Sequence, residues 1–274
     1  MRHYANLLRA TLTASLMLMA MAGAAVAGPF EDALAAHQRG DYASEYQLLR
    51  PLADQGNAAA QNMLGNMYRS GEGVTKNYTE AAKLFRLAAA QGFDLAQNNL
   101  GAMYKHGDGV PQNYAEALKW YRLAAEQGLD IAQYNIGLTY QNGQGVSQDY
   151  SEAAKWFRRA AEQGLGAAQN NLGTLYDRGQ GVAQNYTEAI KWYRLAAEQG
   201  HDVAQYNLGT MYAVGHGVPL DYVSAYKWLN LSAAQGYNLA EENRDFVAKY
   251  MTPVQIAEAQ KLAREWKPKP ERKL

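Results

Sequence analysis

The chain has 274 residues, with 26 lysines and arginines against 26 aspartates and glutamates, and no cysteine. An even charge balance gives no basic field for nucleic acid. The missing cysteine excludes a disulfide framework, thiolate metal ligation, a cysteine nucleophile and a lipid-bearing cysteine, so the fold rests on its apolar core.

The first segment, residues 1–27, carries Arg2 and Arg9 and then runs uncharged through TLTASLMLMAMAGAAVA to Ala25-Val26-Ala27. A basic start, an apolar middle and a small-x-small end read as a signal peptide cut before Gly28. The mature chain is then expected outside the cytoplasm, in the periplasm first and secreted as the alternative, with no membrane insertion after cleavage. A retained anchor is the competing reading, because residues 10–30 carry no charge. Residues 28–57 follow as a shortened N-terminal capping pair of helices, without the long glycine-containing loop found further on.

From residue 58 to 237 the chain repeats. Gly65, Gly101, Gly137, Gly173 and Gly209 are spaced by 36, and so are the pairs Ala60-Gln61, Ala96-Gln97, Ala132-Gln133, Ala168-Gln169 and Ala204-Gln205. A residue present five times in register holds repeats together, whereas a catalytic residue is normally unique. Each unit reads as two helices. In the second unit Asp94 is expected as the N-cap of the first helix, as are Asp130, Asp202 and Asn238 elsewhere. Ala96, Leu100, Met103 and Tyr104 form one apolar stripe. Gly107-Asp108-Gly109-Val110 ends the helix, since glycine takes the positive φ of a helix C-terminus. The second helix starts at Asn113, with Glu116 three residues on as a capping pair. Asn77/Glu80, Asp149/Glu152 and Asn185/Glu188 repeat the pattern.

Gly101 sits inside a helix, where glycine costs about 1 kcal/mol against alanine. Five such costs in register predict a helix crossing too close for any Cβ. The rows Trp120, Trp156, Trp192, Trp228 and Tyr104, Tyr140, Tyr176, Tyr212 are expected in the core between helices. With no strand-like alternation, the fold class is all-α: a right-handed α-solenoid of 36-residue helix-turn-helix repeats. Residues 238–266 read as C-terminal capping helices, the last opened by Thr252-Pro253-Val254-Gln255 as a capping box. Its polar face (Glu258, Gln260, Arg264, Glu265) is expected to shield the end of the stack. Residues 267–274 are a basic tail, read as a frayed, solvated terminus.

Units of the form A-Q-x-N-L-G-x-M-Y-x-x-G-x-G-V followed by N-Y-x-E-A-x-K-W-Y-R-L-A-A-E-Q-G resemble the Sel-one-like repeat family, a relative of tetratricopeptide repeats. The resemblance covers residues 58–237 in five units. Departures are Leu84 at the tryptophan position, Gly166 at the Asp position, and Ser224 and Leu229 in the last unit. The resemblance implies an adaptor that binds partner proteins along a concave groove lined by the first helices. Exported bacterial relatives are associated with envelope signalling, exopolysaccharide assembly and host interaction. Some cysteine-rich members have been assigned penicillin-binding or β-lactamase activity.

That last point bears on Ser224-Ala225-Tyr226-Lys227, which matches the S-x-x-K of serine acyl-enzymes. The lysine belongs to the repeat, the other four units carry glutamate at the serine position, and the partner motifs are missing, so no catalytic residue is assigned. The glycine turn follows no strand, so no nucleotide site is assigned. The five histidines form no ligand pair, so no metal or cofactor is expected. Specificity is expected where units differ along the groove: Asn62, Asn98, Tyr134, Asn170 and Tyr206; Asn66 and Thr210, with Ala102, Leu138 and Thr174 between them; and Arg69, Lys105, Gln141, Asp177 and Ala213. A protein or peptide partner is the reading these support best. Envelope glycan (peptidoglycan or exopolysaccharide) on the amides and tyrosines is the alternative.

Overall fold

A computed structural model describes residues 28–269; the expected signal segment and residues 270–274 lie outside the described residues. The described residues form fourteen helices and no strand. A short pair, α1 (Pro29–Gln38) and α2 (Tyr42–Asp54), precedes the five repeats. The repeat pairs are α3 (Ala58–Ser70) with α4 (Tyr78–Ala90), α5 (Asp94–His106) with α6 (Tyr114–Glu126), and α7 (Asp130–Asn142) with α8 (Tyr150–Glu162). They continue with α9 (Gly166–Arg178) and α10 (Tyr186–Glu198), then α11 (Asp202–Val214) and α12 (Tyr222–Ala234). Helices α13 (Asn238–Ala248) and α14 (Pro253–Glu265) close the stack. From α1 to α13 each helix packs on its neighbours in sequence, as an α-solenoid requires.

The five mid-helix glycines do what their register predicts. A Cβ on Gly101 would lie 2.8 Å from the Tyr121 ring, and one on Gly137 would lie 2.5 Å from Phe157. Phe85, Tyr193 and Leu229 fill the same place against Gly65, Gly173 and Gly209. The second glycine of each turn has a separate function. Gly109, at φ +67°, packs so close to the preceding unit that a Cβ would sit 2.3 Å from the Tyr78 carbonyl carbon. The turn therefore ends one helix and also seats one repeat on the next.

The repeated polar residues join the units. Gln61, Gln97, Gln133, Gln169 and Gln205 each donate to a carbonyl of the preceding second helix, from Ala53 O through Ala197 O. Each side-chain oxygen accepts from a glutamine 30 residues on, Gln91 through Gln235, at 2.8–2.9 Å. Gln127, Gln163 and Gln199 also donate to the carbonyls of Gly92, Gly128 and Gly164. The result is a glutamine ladder through the stack, buried on the first-helix side and half-buried or exposed on the second. A second link joins the arginine of K-W-Y-R to the next unit's tyrosine: Arg86 to Tyr104, Arg122 to Tyr140, Arg158 to Tyr176 and Arg194 to Tyr212. The tyrosine row is thus half-buried with its hydroxyls tied. In the tryptophan row Trp192 and Trp228 are buried, and Trp120 and Trp156 half-buried.

Two capping expectations need correction. The N-caps of the first helices are Phe93, Leu129, His201 and Tyr237, one residue before the expected Asp94, Asp130, Asp202 and Asn238. The positive-φ glycine before each cap leaves that residue extended. The aspartates fall at the first helical position and accept from the next backbone N–H at 2.7–2.8 Å. The second-helix caps are as expected, with Asn113 accepting from the N–H of Ala115 and Glu116. The glutamates turn outward to the lysine three residues on, as in Glu152 with Lys155 at 2.6 Å.

The ends differ from expectation in detail. Thr252 and Gln255 form the reciprocal capping box. Helix α14 packs back on α12, with Gln260 donating to Tyr226, and does not cover α13. The start of the basic tail is docked, not frayed: Trp266 meets Trp228 edge-on at 6.2 Å, and Lys269 binds Glu198 through both its backbone and its ammonium. Continuation of the solenoid is blocked after α13, where Glu241 and Asp245 stand at the ladder-glutamine and contact-glycine registers.

One buried acid interrupts the N-terminal pair. Glu45 is fully buried and accepts from His37 Nδ1 at 2.9 Å. Burial holds its carboxyl above the usual range, opposed by the His37 hydrogen bond. A raised folded pKa means stability is fully present below the unfolded value and declines as pH rises through the folded one. Glu45→Gln is therefore expected to be more stable than wild type at about pH 8, with the difference closing below about pH 4. Urea midpoints at the two pH values check it, and equal gaps would refute it.

Candidate partner-binding face

The first helices, α3, α5, α7, α9 and α11, place residues of equal register in rows along the stack. In the first row the three asparagines lie under the surface. Asn62, Asn98 and Asn170 are only 2%, 7% and 6% exposed. Each side-chain oxygen accepts from an asparagine of the next first helix: Asn99 to Asn62 at 3.0 Å, Asn135 to Asn98 at 2.9 Å and Asn207 to Asn170 at 3.0 Å. They are joints between repeats, which corrects the expectation that they face a partner. The two tyrosines of the row are half-buried. Tyr134 packs on Phe157 at 5.6 Å, and the Tyr206 hydroxyl accepts from Asn243.

The other two rows remain at the surface. Asn66, Ala102, Leu138, Thr174 and Thr210 are half-buried, as are Arg69, Lys105, Gln141, Asp177 and Ala213. Arg69 donates to Asn66 at 2.7 Å and to Asn99 at 3.4 Å, with its guanidinium 5.7 Å from the Phe85 centroid. Burial pulls the Arg69 guanidinium and the Lys105 ammonium below their ordinary pKa values. Among the described residues, neither cation has a carboxylate within ion-pair distance. Gln141 encloses its side-chain oxygen without a donor. Thr174 accepts from Tyr193 and bonds the Asn170 carbonyl, while Thr210 bonds the Asn207 carbonyl. The face therefore runs from positive charge at α3 and α5, through an amide at α7, to Asp177 on α9.

Its C-terminal end is a cavity of about 350 Å³ between α11, α12 and α13. Val214, Leu229, Phe246 and Tyr250 contribute its apolar lining. The sequence reading missed it, although Leu229 and Ala213 both depart from the bulkier residues at their registers.

Features raised as chemistry are structural. Ser224 is in the first turn of α12, its N–H capped by Asp221, and the Lys227 ammonium lies 4.3 Å from the Trp228 centroid. His37 binds Glu45, His201 is an N-cap and His216 stacks on Tyr186. No cluster of metal-ligating side chains occurs among the described residues.

A profile of the Sel1 repeat matches residues 58–93, 94–129, 130–165, 166–201 and 202–237. Among solved structures, the chain is similar to a protective antigen of uropathogenic Escherichia coli displaying an SLR fold, with 36% identity and a TM-score of 0.76 over 86% of this chain. It spans 53% of that antigen's length. A Sel1 repeat protein from Oxalobacter formigenes is 34% identical with a TM-score of 0.76, over 86% of this chain and 96% of that one. Comparison with curated proteins gave no match.

Proposed function

Since the chain belongs to the Sel1-repeat family, whose members are generally protein-interaction scaffolds and not enzymes, we propose that it is an exported, periplasmic adaptor that binds a protein or peptide along its first-helix face. One observation carries this. The repeated residues are engaged internally, in the glutamine ladder, the glycine contacts and the arginine–tyrosine links. The half-exposed rows at 66/102/138/174/210 and 69/105/141/177/213 are left free to differ from unit to unit. A long, shallow row of this kind suits a helix or an extended segment better than an enclosed small molecule. Export rests on the basic, apolar and small-residue pattern of residues 1–27.

Glycan binding has less support, because the three asparagines it relied on are buried and bonded to their neighbours. The test is capture from the cell envelope by wild type and by a Lys105→Glu/Gln141→Arg/Asp177→Arg variant. A partner protein held by wild type and weakened at least 10-fold by the variant, about 1.4 kcal/mol, is the expected result. Equal retention would place binding elsewhere, and recovery of glycan alone would replace the proposal.

A further inference from the structure

We propose that the cavity between α11, α12 and α13 seats one large apolar side chain of a peptide partner whose other end is acidic and lies over Arg69 and Lys105. This rests on the partner-binding reading above and adds the partner's chemistry and direction.

The cavity arises from two coincident truncations. In the first repeat the corresponding place holds Arg69, its guanidinium 5.7 Å from the Phe85 centroid. Four repeats on, the same registers hold Ala213 and Leu229. The opposite rim has changed in the other sense. Phe246 and Tyr250, on and after α13, stand where the matching space of the first repeat is bordered by Ala102 and His106. Tyr222 and Tyr250 stack at 5.6 Å, and Phe246 meets Tyr250 edge-on at 5.3 Å. Val214, Phe246 and Tyr250 remain 58%, 56% and 58% exposed. An open apolar concavity rimmed by exposed rings has the chemistry to take an apolar side chain. Thr210 and the Asn243 amide, which border it, already have hydrogen-bond partners, so the ligand group it fits is apolar.

Charge decides what lies at the other end. Arg69 and Lys105 occupy the register of Ala213, on the same row. Both are partly desolvated with no carboxylate at ion-pair distance among the described residues; the more distant Asp108 offsets part of the cost at Arg69, and an incoming carboxylate would relieve the rest. Asp177, between them and the cavity, repels acid there and so sets the peptide's direction. Four steps of about 10 Å between packed helices correspond to about a dozen extended residues.

The experiment selects from a displayed library of random peptides of about 16 residues on the purified protein as processed on expression. Enriched peptides are then measured against two variants. Ala213→Arg/Leu229→Phe restores the first repeat's residues and fills the cavity; Phe246→Ala/Tyr250→Ala strips the exposed rim without entering the core. The expected peptides carry Leu, Phe or Trp at one end and Asp or Glu at the other. Both variants should weaken them at least 10-fold, and Lys105→Glu should weaken them and reduce the loss of affinity with added salt. Peptides that bind both variants like wild type but are lost on Gln141→Arg would overturn the cavity assignment and leave the groove reading standing. No enrichment, or binding indifferent to every variant, would overturn both.

Discussion

Gly137→Ala is expected to destabilise the protein by about 2 kcal/mol, although alanine is the better helix former by about 1 kcal/mol. The new Cβ would lie 2.5 Å from two atoms of the Phe157 ring, which is fully buried and has nowhere to turn. Overpacking of that kind costs about 3 kcal/mol, so sterics override propensity. Gly166→Ala is the control. Its Cβ would meet only the end of the Gln199 side chain at 3.2 Å, and other units carry Ala58, Asp94, Asp130 or Asp202 at this register. That substitution is expected within about 0.5 kcal/mol of wild type. Urea midpoints of the two variants decide the matter. A Gly137→Ala protein as stable as wild type would show that the two helices can separate cheaply. Combining it with Phe157→Ala should cost less than the sum of the single changes, because the clash is removed.

Gln169→Leu is expected to cost about 2 kcal/mol and to divide one unfolding transition into two. Gln169 is fully buried, donates to Ala161 O at 3.1 Å and accepts from Gln199 at 2.9 Å. Leucine keeps the volume but removes both hydrogen bonds, at about 1 kcal/mol for each, while Ala161 O keeps the Gly164 N–H and the Gln199 amide keeps the Gly164 carbonyl. The ladder is also the coupling between neighbouring repeats, and a stack of repeats unfolds cooperatively only while those interfaces hold. Loss at the fourth unit should let residues C-terminal to it melt first. Gln169→Glu should be worse near neutral pH and milder in acid, where the carboxylic acid can again donate. Calorimetry and hydrogen exchange by segment read the outcome. A single transition at the wild-type midpoint would mean that the ladder carries no coupling.

The docked tail and the buried asparagines show where periodicity stops informing. A 3.6-residue period places Asn98 on the same stripe as Ala102 and Lys105, but it does not tell whether that part of the stripe meets solvent or the next helix. The separation of adjacent first helices decides this, and it brings Asn98 within 2.9 Å of Asn135. The aspartate caps failed for a more local reason. Asp94 has the right residue type, but Gly92 at φ +87° ends the preceding helix so tightly that Phe93 takes the cap position. Lys269 read as tail and Trp266 as the end of the C-terminal cap because nothing in the chain around them forms a period, yet Glu198 and Trp228 hold them in place.

By itself, the sequence determined the 36-residue repeat, the helix pairing, the glycine contacts, the second-helix caps and the capping box at Thr252. These depend on local conformational preference and on a pattern repeated five times, so each unit corroborates the others. Only the tertiary structure decided which polar residues are joints and which are surface, that the tail docks, and that Ala213 and Leu229 together open a cavity. Those outcomes depend on distances between helices, and side chains that are 16 residues apart in the chain become the walls of one space only when α11 and α12 pack.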